Sequence, residues 1–354
     1  MRPTLHPRLL NGRTGDPGVY LEALHLPGAI LLDCGDLSAL SPRHLLRVGA
    51  LAVSHAHMDH WAGFDRLLRL LVGREKRLPV VGPAGFAERL FHRLQAYTWN
   101  LADRIPADLA FEVTEVALPG AAGWPRTRFG LHGGFRPEAL PPSPAGPDGA
   151  VLRLGPLRLR AAALYHGTPS LGFAVEEAMH VNVWRTRLAE RGLPTGPWLA
   201  ALKAAVAANG PDDLPIPVFA RASDAPGAPS LPLGALRDLV EVTPGQRLAY
   251  LTDFADTPEN RTVAVSLARD ADILFIEAPF AAEDAAIAAD RRHLTTRAAG
   301  EIARAARARR VEPFHFSPRY QGQEARLLAE VAEAAGLGRG LVATGGLEPP
   351  TPAL

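Results

Sequence analysis

Ser54-His55-Ala56-His57-Met58-Asp59-His60 places three imidazoles and a carboxylate within six consecutive positions, directly after the apolar run Val48-Gly49-Ala50-Leu51-Ala52-Val53. A short apolar run followed by polar residues predicts a buried strand, with the cluster on the loop leaving its end. Imidazole nitrogen and carboxylate oxygen are the donors that zinc and similar divalent ions take. On an extended or turning backbone His55 and His57, two positions apart, point to the same side. Asp59 and His60 continue round the turn and can face a second ion. Holding such groups close together is costly unless a metal organises them. The alternative is a polar surface loop rich in histidine, which leaves the donors found further along the chain unexplained.

Composition sets the frame. The 354 residues, 47% hydrophobic and 21% charged, are enough for a large core in one or two domains. The only cysteine, Cys34, excludes an internal disulfide framework and fits a reducing compartment. It follows Ala29-Ile30-Leu31-Leu32 and reads as a buried strand-end residue. Met1 to Leu10 has no apolar core of signal-peptide length, and no window approaches 18 apolar residues, so a cytoplasmic protein without a membrane span is expected. A net charge of +1 does not advertise phosphate binding, so any RNA contact must come from local patches.

Outward from the cluster the pattern is mixed α/β. Asn11 to Gly18 reads as a loop, and Val19 to Leu24 and Ala29 to Leu32 as strands around the turn Pro27-Gly28. Gly63 to Val72 has helical spacing, Leu78 to Val81 is a strand, and Gly82-Pro83 opens a helix through Leu94. Phe135 to Gly149, rich in Pro and Gly, is expected as an exposed loop. Val151 to Leu164 reads as a hairpin turning at Gly155-Pro156, and Leu171 to Glu176 as a strand. From Glu177 to Arg247 the pattern changes: a helical stretch, Trp198 to Ala208, lies between proline-rich segments. It reads as an insertion, at about 178–246, in a single domain spanning 1–354. Strands resume at Leu248 to Thr252 and Ile273 to Ile276, and helices near Thr295 to Arg309 and Gln321 to Ala335 bracket Val311 to Phe316.

A two-metal site needs more donors, at the ends of later strands. His166 follows Leu157 to Tyr165, Asp253 follows Leu248 to Thr252, and His315 follows Val311 to Phe314. One such residue alone is more often a cap or a surface group. Three in succession after the cluster make a combination.

The order of these motifs resembles the metallo-β-lactamase fold, and within it the ribonuclease Z branch. Leu32-Asp33-Cys34-Gly35 is similar to that family's early Asp-containing strand end, His55 to His60 to its histidine motif, and Gly82-Pro83 to its Gly-Pro. His166 through Gly172-Phe173, Asp253, His293-Leu294-Thr295 and His315-Phe316-Ser317-Pro318-Arg319-Tyr320 resemble the later motifs. The resemblance spans about Leu21 to Tyr320. It implies an α/β fold, an αββα sandwich of two mixed β-sheets flanked by helices. It also implies a dinuclear zinc hydrolase, with manganese as the other candidate ion. One ion would be held by His55, His57 and His166, the other by Asp59, His60 and His315, with Asp253 bridging. The implied activity is endonucleolytic removal of 3′ trailers from tRNA precursors by a hydroxide activated between the ions. Asp59 would orient or deprotonate the water. His293, oriented by Glu277, would stabilise the phosphate or protonate the leaving oxygen. Without the resemblance, His293 reads as a residue just before the helix caps Thr295 and Thr296, and Glu277 as a strand-end carboxylate. Asp33 reads as a support rather than a catalyst. Family members often dimerise, so a homodimer is implied as well.

Two stretches depart from the family pattern. Ile276-Glu277-Ala278-Pro279 stands where many members have His-Glu-Ala-Thr, and Gly35-Asp36-Leu37-Ser38 lacks the usual Gly-Thr pair. Both bear on the tRNA-precursor substrate rather than on the metal donors. Gly196-Pro197 with Leu199 to Ala208 is similar to the arm by which members grip tRNA, although its basic residues reduce to Arg185, Arg187, Arg191 and Lys203. The run Arg304 to Arg310 reads as a solvated face. Two other readings keep the residues but change the role. One is hydrolysis of a small phosphodiester or other ester; the other is a non-catalytic RNA-binding protein with structural metals.

Overall fold

The computed structural model describes residues 4–24, 26–116, 123–144 and 149–338. They divide into two compact units, one running to Glu176 and resuming at Gln246, the other Glu177–Gly245.

The larger unit begins with eight strands that lie side by side in chain order. They are β1 (Leu5–Leu9), β2 (Val19–Ala23), β3 (Ala29–Leu32), β4 (Val48–Ala52), β5 (Lys76–Pro83), β6 (Leu109–Val116), β7 (Gly123–Gly130) and β8 (Pro137–Pro144). The centre, β3 to β6, is parallel, while β1, β2, β7 and β8 pair antiparallel. Parallel neighbours require crossovers. Here they carry α1 (Pro42–Leu46), α2 (Met58–Trp61) with α3 (Phe64–Leu71), and α4 (Phe86–Leu94). In α3 the residues Phe64, Leu67, Leu68 and Leu71, spaced three and four apart, form the buried stripe.

The chain continues through β9 (Ala150–Leu154), β10 (Leu157–Tyr165) and β11 (Pro169–Glu177). The smaller unit holds β12 (His180–Val183), α5 (Arg185–Glu190), α6 (Trp198–Ala207), β13 (Pro215–Pro217), β14 (Ser230–Pro232) and β15 (Val240–Thr243). Its core gathers Trp198, Leu202, Leu233, Leu236 and Leu239. Back in the larger unit follow β16 (Arg247–Leu251), α7 (Pro258–Ala268), β17 (Ile273–Glu277), α8 (Ala285–Arg291), α9 (Thr296–Ala305), β18 (Val311–Phe314) and α10 (Glu324–Ala335). The second sheet of this unit runs β18-β17-β16-β11-β10-β9, with β16, β17 and β18 parallel and β11 antiparallel to β16.

Alternation along the strands makes the layers. Ile30, Leu32, Ala50 and Ala52 face Phe173, Val175, Tyr250 and Phe275 in one core between the sheets. Leu31, Leu51 and Val53 pack with Phe64, Leu67 and Leu90 on one outer face. Leu251, Leu274 and Ile276 pack with Ile302, Leu327 and Val331 on the other. Strands buried on both faces read as continuous apolar runs, which is why β3 and β4 show no polar alternation. The result is the expected αββα sandwich. No helix among the described residues is long and apolar enough to cross a membrane.

One sequence expectation is corrected. Much of Phe135–Gly149 is not a loop: Pro137–Pro144 is the edge strand β8, paired with β7; residues 145–148 lie outside the described residues. Proline cannot donate to a ladder, but an edge strand leaves one row of groups unpaired in any case. The pairing shifts register between Trp124 and Arg126, opposite Pro141 and Pro142.

Candidate metal centre

Most of the residues singled out in the sequence collect at one end of the two sheets, just past strand ends, while His293 lies on the turn between α8 and α9. Asp33 follows β3, His55 to His60 follow β4, and His166 follows β10; Asp253 follows β16 and His315 follows β18. Glu277 is the last residue of β17. Asp59 and His60 lie within α2, with His57 at its N-cap position, so the turn after β4 winds directly into a helical turn.

The imidazole of His55 packs edge to face with His57 and His166, at 4.3 Å and 5.4 Å between centres, and tilted against His60 at 4.1 Å. Three of these imidazoles are held by one ring nitrogen. His60 Nδ1 donates to Asp33 Oδ2 at 2.8 Å, His166 Nδ1 to the Arg292 carbonyl at 2.8 Å, and His55 Nδ1 reaches Ser54 Oγ at 3.1 Å. Tying Nδ1 to an acceptor sets the tautomer and leaves the Nε2 lone pair to point inward. All three Nε2 atoms surround Asp253 Oδ2, at 3.6 Å for His55, 3.5 Å for His60 and 3.6 Å for His166. The other carboxylate oxygen, Oδ1, takes the Thr252 hydroxyl at 2.7 Å and lies 3.1 Å from His315 Nδ1. His315 Nε2 and His60 Nε2 lie 3.4 Å and 3.5 Å from Asp59 Oδ2.

These separations test whether a metal fits. His55 Nε2, His60 Nε2 and His315 Nδ1 are buried and make no hydrogen bond. Buried polar atoms without partners are rare and call for an explanation. Donors about 3.5 Å apart lie at or beyond the outer limit of a hydrogen bond. They match the edge of a tetrahedron whose metal–ligand bonds are about 2.0–2.1 Å. The donors form three overlapping groups: His55, His57, His166 and Asp253; Asp59, His60 and His315; and Asp253, Glu277, His293 and His315. The donor set fits divalent cations, and Asp253 belongs to two of the groups.

Electrostatics point the same way. Burial drives the His55 imidazole down to about 2, so it is neutral and can ligate. Burial also opposes charge on His60, but Asp253 and Asp33 outweigh it and push that ring up to about 10. His315 rises well above the usual histidine range in spite of its burial, chiefly through Asp253. Carboxylates this deep demand positive charge nearby, from protonated rings or from a bound cation.

Around the donors lies a support that the sequence only partly disclosed. Buried Asp33 also accepts the Ser54 backbone N–H at 2.7 Å, the Ser54 hydroxyl at 2.8 Å and the Tyr250 hydroxyl at 2.8 Å. His293 Nδ1 donates to Glu277 Oε2 at 2.6 Å, while Glu277 Oε1 accepts the Phe254 N–H at 2.9 Å. Asp33, Asp253 and His315 all have left-handed backbones, with φ of 54°, 47° and 62°. Each costs roughly 1 kcal/mol or more for a non-glycine residue, strain of a kind that clusters at functional sites. Gly35 lets the Asp33 loop approach α2, since a Cβ there would come within 2.1 Å of the Asp59 carbonyl.

Above the donors opens a cavity of 410 Å³ whose wall includes Asp16, His57, Asp59, His166, His293 and His315. Asp16 and Arg291, also in the wall, were not singled out in the sequence. Both lie on segments without a motif, and only the folded chain brings them to the site.

Metal-directed hydrolysis is the chemistry such a donor set serves, and the framework around it is that of the metallo-β-lactamase hydrolases. The chain is 36% identical over 315 residues to the ribonuclease Z of Deinococcus radiodurans, spanning 86% of this chain and 87% of that protein. It belongs to the ribonuclease Z family. It is also 29% identical over 314 residues to the ribonuclease BN of Cronobacter sakazakii, covering 86% of this chain and 84% of that one. Among solved structures, the metallo-beta-lactamase fold protein YhfI from Bacillus subtilis has a TM-score of 0.52 at 15% identity, over 93% of this chain and 92% of that chain. That likeness is one of fold. No family model matches the sequence.

Proposed function

We propose that this protein is a zinc-dependent endonuclease that cuts the 3′ trailer from tRNA precursors. The observation that carries the reading is the buried Asp253 carboxylate, which turns Oδ2 toward His55, His166 and His60 and Oδ1 toward His315, and so faces both donor sets. In this reading His55, His57 and His166 hold one ion, Asp59, His60 and His315 the other, and Asp253 both. An imidazole-rich donor set suits zinc, with manganese as the alternative to test. When bound, the ion pair lowers the pKa of water and offsets charge developing on the phosphoryl oxygens. The protein's own groups do the rest. Asp59 orients the attacking water. Glu277 raises His293 against the effect of its burial, so that ring keeps a proton for the leaving 3′ oxygen as the P–O bond breaks.

The 177–245 unit is the proposed RNA grip. Arg191 pairs with Asp238 and Arg187 donates to the Asp238 carbonyl, so both hold the unit together. Arg185 and Lys203 remain for phosphate. The Arg304–Arg310 run is a weaker candidate, because Arg307, Arg309 and Arg310 pair with Asp270, Asp272 and Glu312.

A second reading keeps the site but gives it a small phosphodiester. It is favoured by Pro279, which lines the cavity where many family members carry a hydroxyl. The deciding experiment is cleavage of a tRNA precursor by the zinc- or manganese-loaded protein, with Asp59→Ala beside it. A cut after the discriminator position, absent in the variant, supports the tRNA reading. Hydrolysis of a small diester with no cut in the precursor supports the second.

A further inference from the structure

The wall of the cavity over the donors contains several acids but, among the described residues, one Arg or Lys: Arg291. Asp59 and Asp253 are committed to the donor groups, whereas Asp16 is a carboxylate with no place in them. An RNA strand carries a charge at every phosphate, so more than the scissile one must pass this wall. On the loop bearing Asp16 a backbone phosphate meets repulsion. At Arg291 it meets the one Arg or Lys in the wall among the described residues.

The Arg291 side chain is exposed and, among the described residues, makes no hydrogen bond or ion pair, so it is not committed to holding the fold. Its backbone, in contrast, is fixed relative to the donors. It is the last residue of α8, and the turn beyond it is closed by two bonds, from Arg292 N–H to the Ala289 carbonyl at 3.1 Å and from His293 N–H to the Ala288 carbonyl at 2.9 Å. With Arg292 at φ 60°, this is the Schellman arrangement of a helix end. The Arg292 carbonyl in turn receives His166 Nδ1 at 2.8 Å. One tight turn therefore carries three features: an arginine in the cavity wall, the carbonyl that orients the candidate donor His166, and the His293 ring.

We propose that Arg291 binds the backbone phosphate adjoining the scissile one, making this a site for chains of phosphodiesters rather than for isolated diesters. The proposal rests on the RNA-cleaving reading above and names the group that favours RNA over a small diester at the same centre. Guanidinium suits the task because its planar fork takes two phosphate oxygens at once. A cation in the last turn also suits the helix dipole, a role that would affect stability and not the choice of substrate.

The test uses the zinc-loaded protein and bis(4-nitrophenyl) phosphate as a one-phosphate substrate, with mature tRNA and a tRNA precursor as inhibitors of its hydrolysis. In Arg291→Ala the inhibition constant for RNA should rise roughly tenfold. The slope of log affinity against log salt should shrink by about one phosphate contact. Any loss on the small diester should be several-fold smaller. Arg291→Lys should recover part of the effect, and Arg291→Glu should bind RNA more weakly than Arg291→Ala. An unchanged inhibition constant and salt slope, equal losses on RNA and the small diester, or no inhibition of the wild type by RNA would each overturn the proposal. If RNA inhibits in an Arg291-dependent way but the precursor is not cut, the tRNA-processing reading fails and the phosphate contact stands.

Discussion

Tyr250 donates its hydroxyl to Asp33 Oδ2 at 2.8 Å, joining residues 217 positions apart in the core between the sheets. The same oxygen takes His60 Nδ1, so Tyr250 steadies the carboxylate that steadies a proposed metal donor. Tyr250→Phe keeps the ring stacked on Phe314 at 5.2 Å and removes only the donor. A hydrogen bond to a charged group contributes about 1.5–3 kcal/mol, so chemical denaturation should show a loss in that range. Metal titration should show the affinity of the His60 side weakened, about tenfold or more, as for other groups supporting a ligand. Unchanged affinity with reduced stability would confine Tyr250 to the core.

His293 lies outside the two histidine-rich donor groups but next to them, its ring 4.6 Å from His166 and 5.6 Å from His315. His293→Ala should lower turnover by roughly 10²–10⁴-fold, the range of a lost proton donor. The metal content measured on the purified variant should stay at the wild-type value. Loss of an ion would mean that the third donor group, Asp253, Glu277, His293 and His315, holds that ion, and would end the role of His293 as proton donor.

The residues that gather as candidate donors were legible because their types are rare in that pattern and each follows an apolar run. His55, His57, His166, Asp253 and His315 needed no tertiary information beyond strand ends. Their supports were not legible. Tyr250 reads as one more apolar strand residue, and only the sheet-to-sheet packing brings its hydroxyl to Asp33. The Arg292 carbonyl that orients His166 is a backbone atom, invisible in side-chain chemistry. Left-handed geometry at Asp33, Asp253 and His315 carries only a weak signal, the tolerance of Asp and His for positive φ. The edge strands failed for a different reason. Pro7 in β1 and four prolines in β8 suppress a strand reading, yet an edge can tolerate the missing donors.

Gly300 allows α9 and α10 to touch. A Cβ on it would lie 2.5 Å from Ala334 Cβ and 2.6 Å from the Val331 carbonyl, and neither can yield without moving a helix. Gly300→Ala gains helix propensity but should still destabilise by roughly 1–3 kcal/mol, the usual cost of overpacking. Gly133→Ala is the control, since its nearest neighbour would be a carbonyl 3.6 Å away. Thermal melts should separate the two variants; equal melting temperatures would mean that the helices part at little cost.

Removing the metal should steepen the loss of stability at alkaline pH. Without a cation, His60 is pushed up to about 10 by Asp253 and Asp33 in spite of its burial, and His315 is raised as well. An unfolded histidine titrates near 6.5, so the folded chelated protein binds more protons between that value and about 10. That contribution is fully present below about 6.5 and is lost as pH rises through the folded value. On the acid side, burial works against charge on Asp59, but the hydrogen bond with His315 prevails and holds its carboxyl down to about 2. Its contribution is present above the unfolded value of about 3.9 and disappears as pH falls toward 2. Zinc changes the alkaline limb most directly, because it takes neutral imidazoles and needs no proton on His60 or His315, while acid competes with it for His60, His315 and Asp59. The melting temperature with chelator should therefore fall from pH 6 to pH 9 while that with zinc falls less. The gap between the two should widen steadily with pH. A gap of constant size would mean that His60 and His315 are not the groups the ions displace protons from, and would remove them from the donor set.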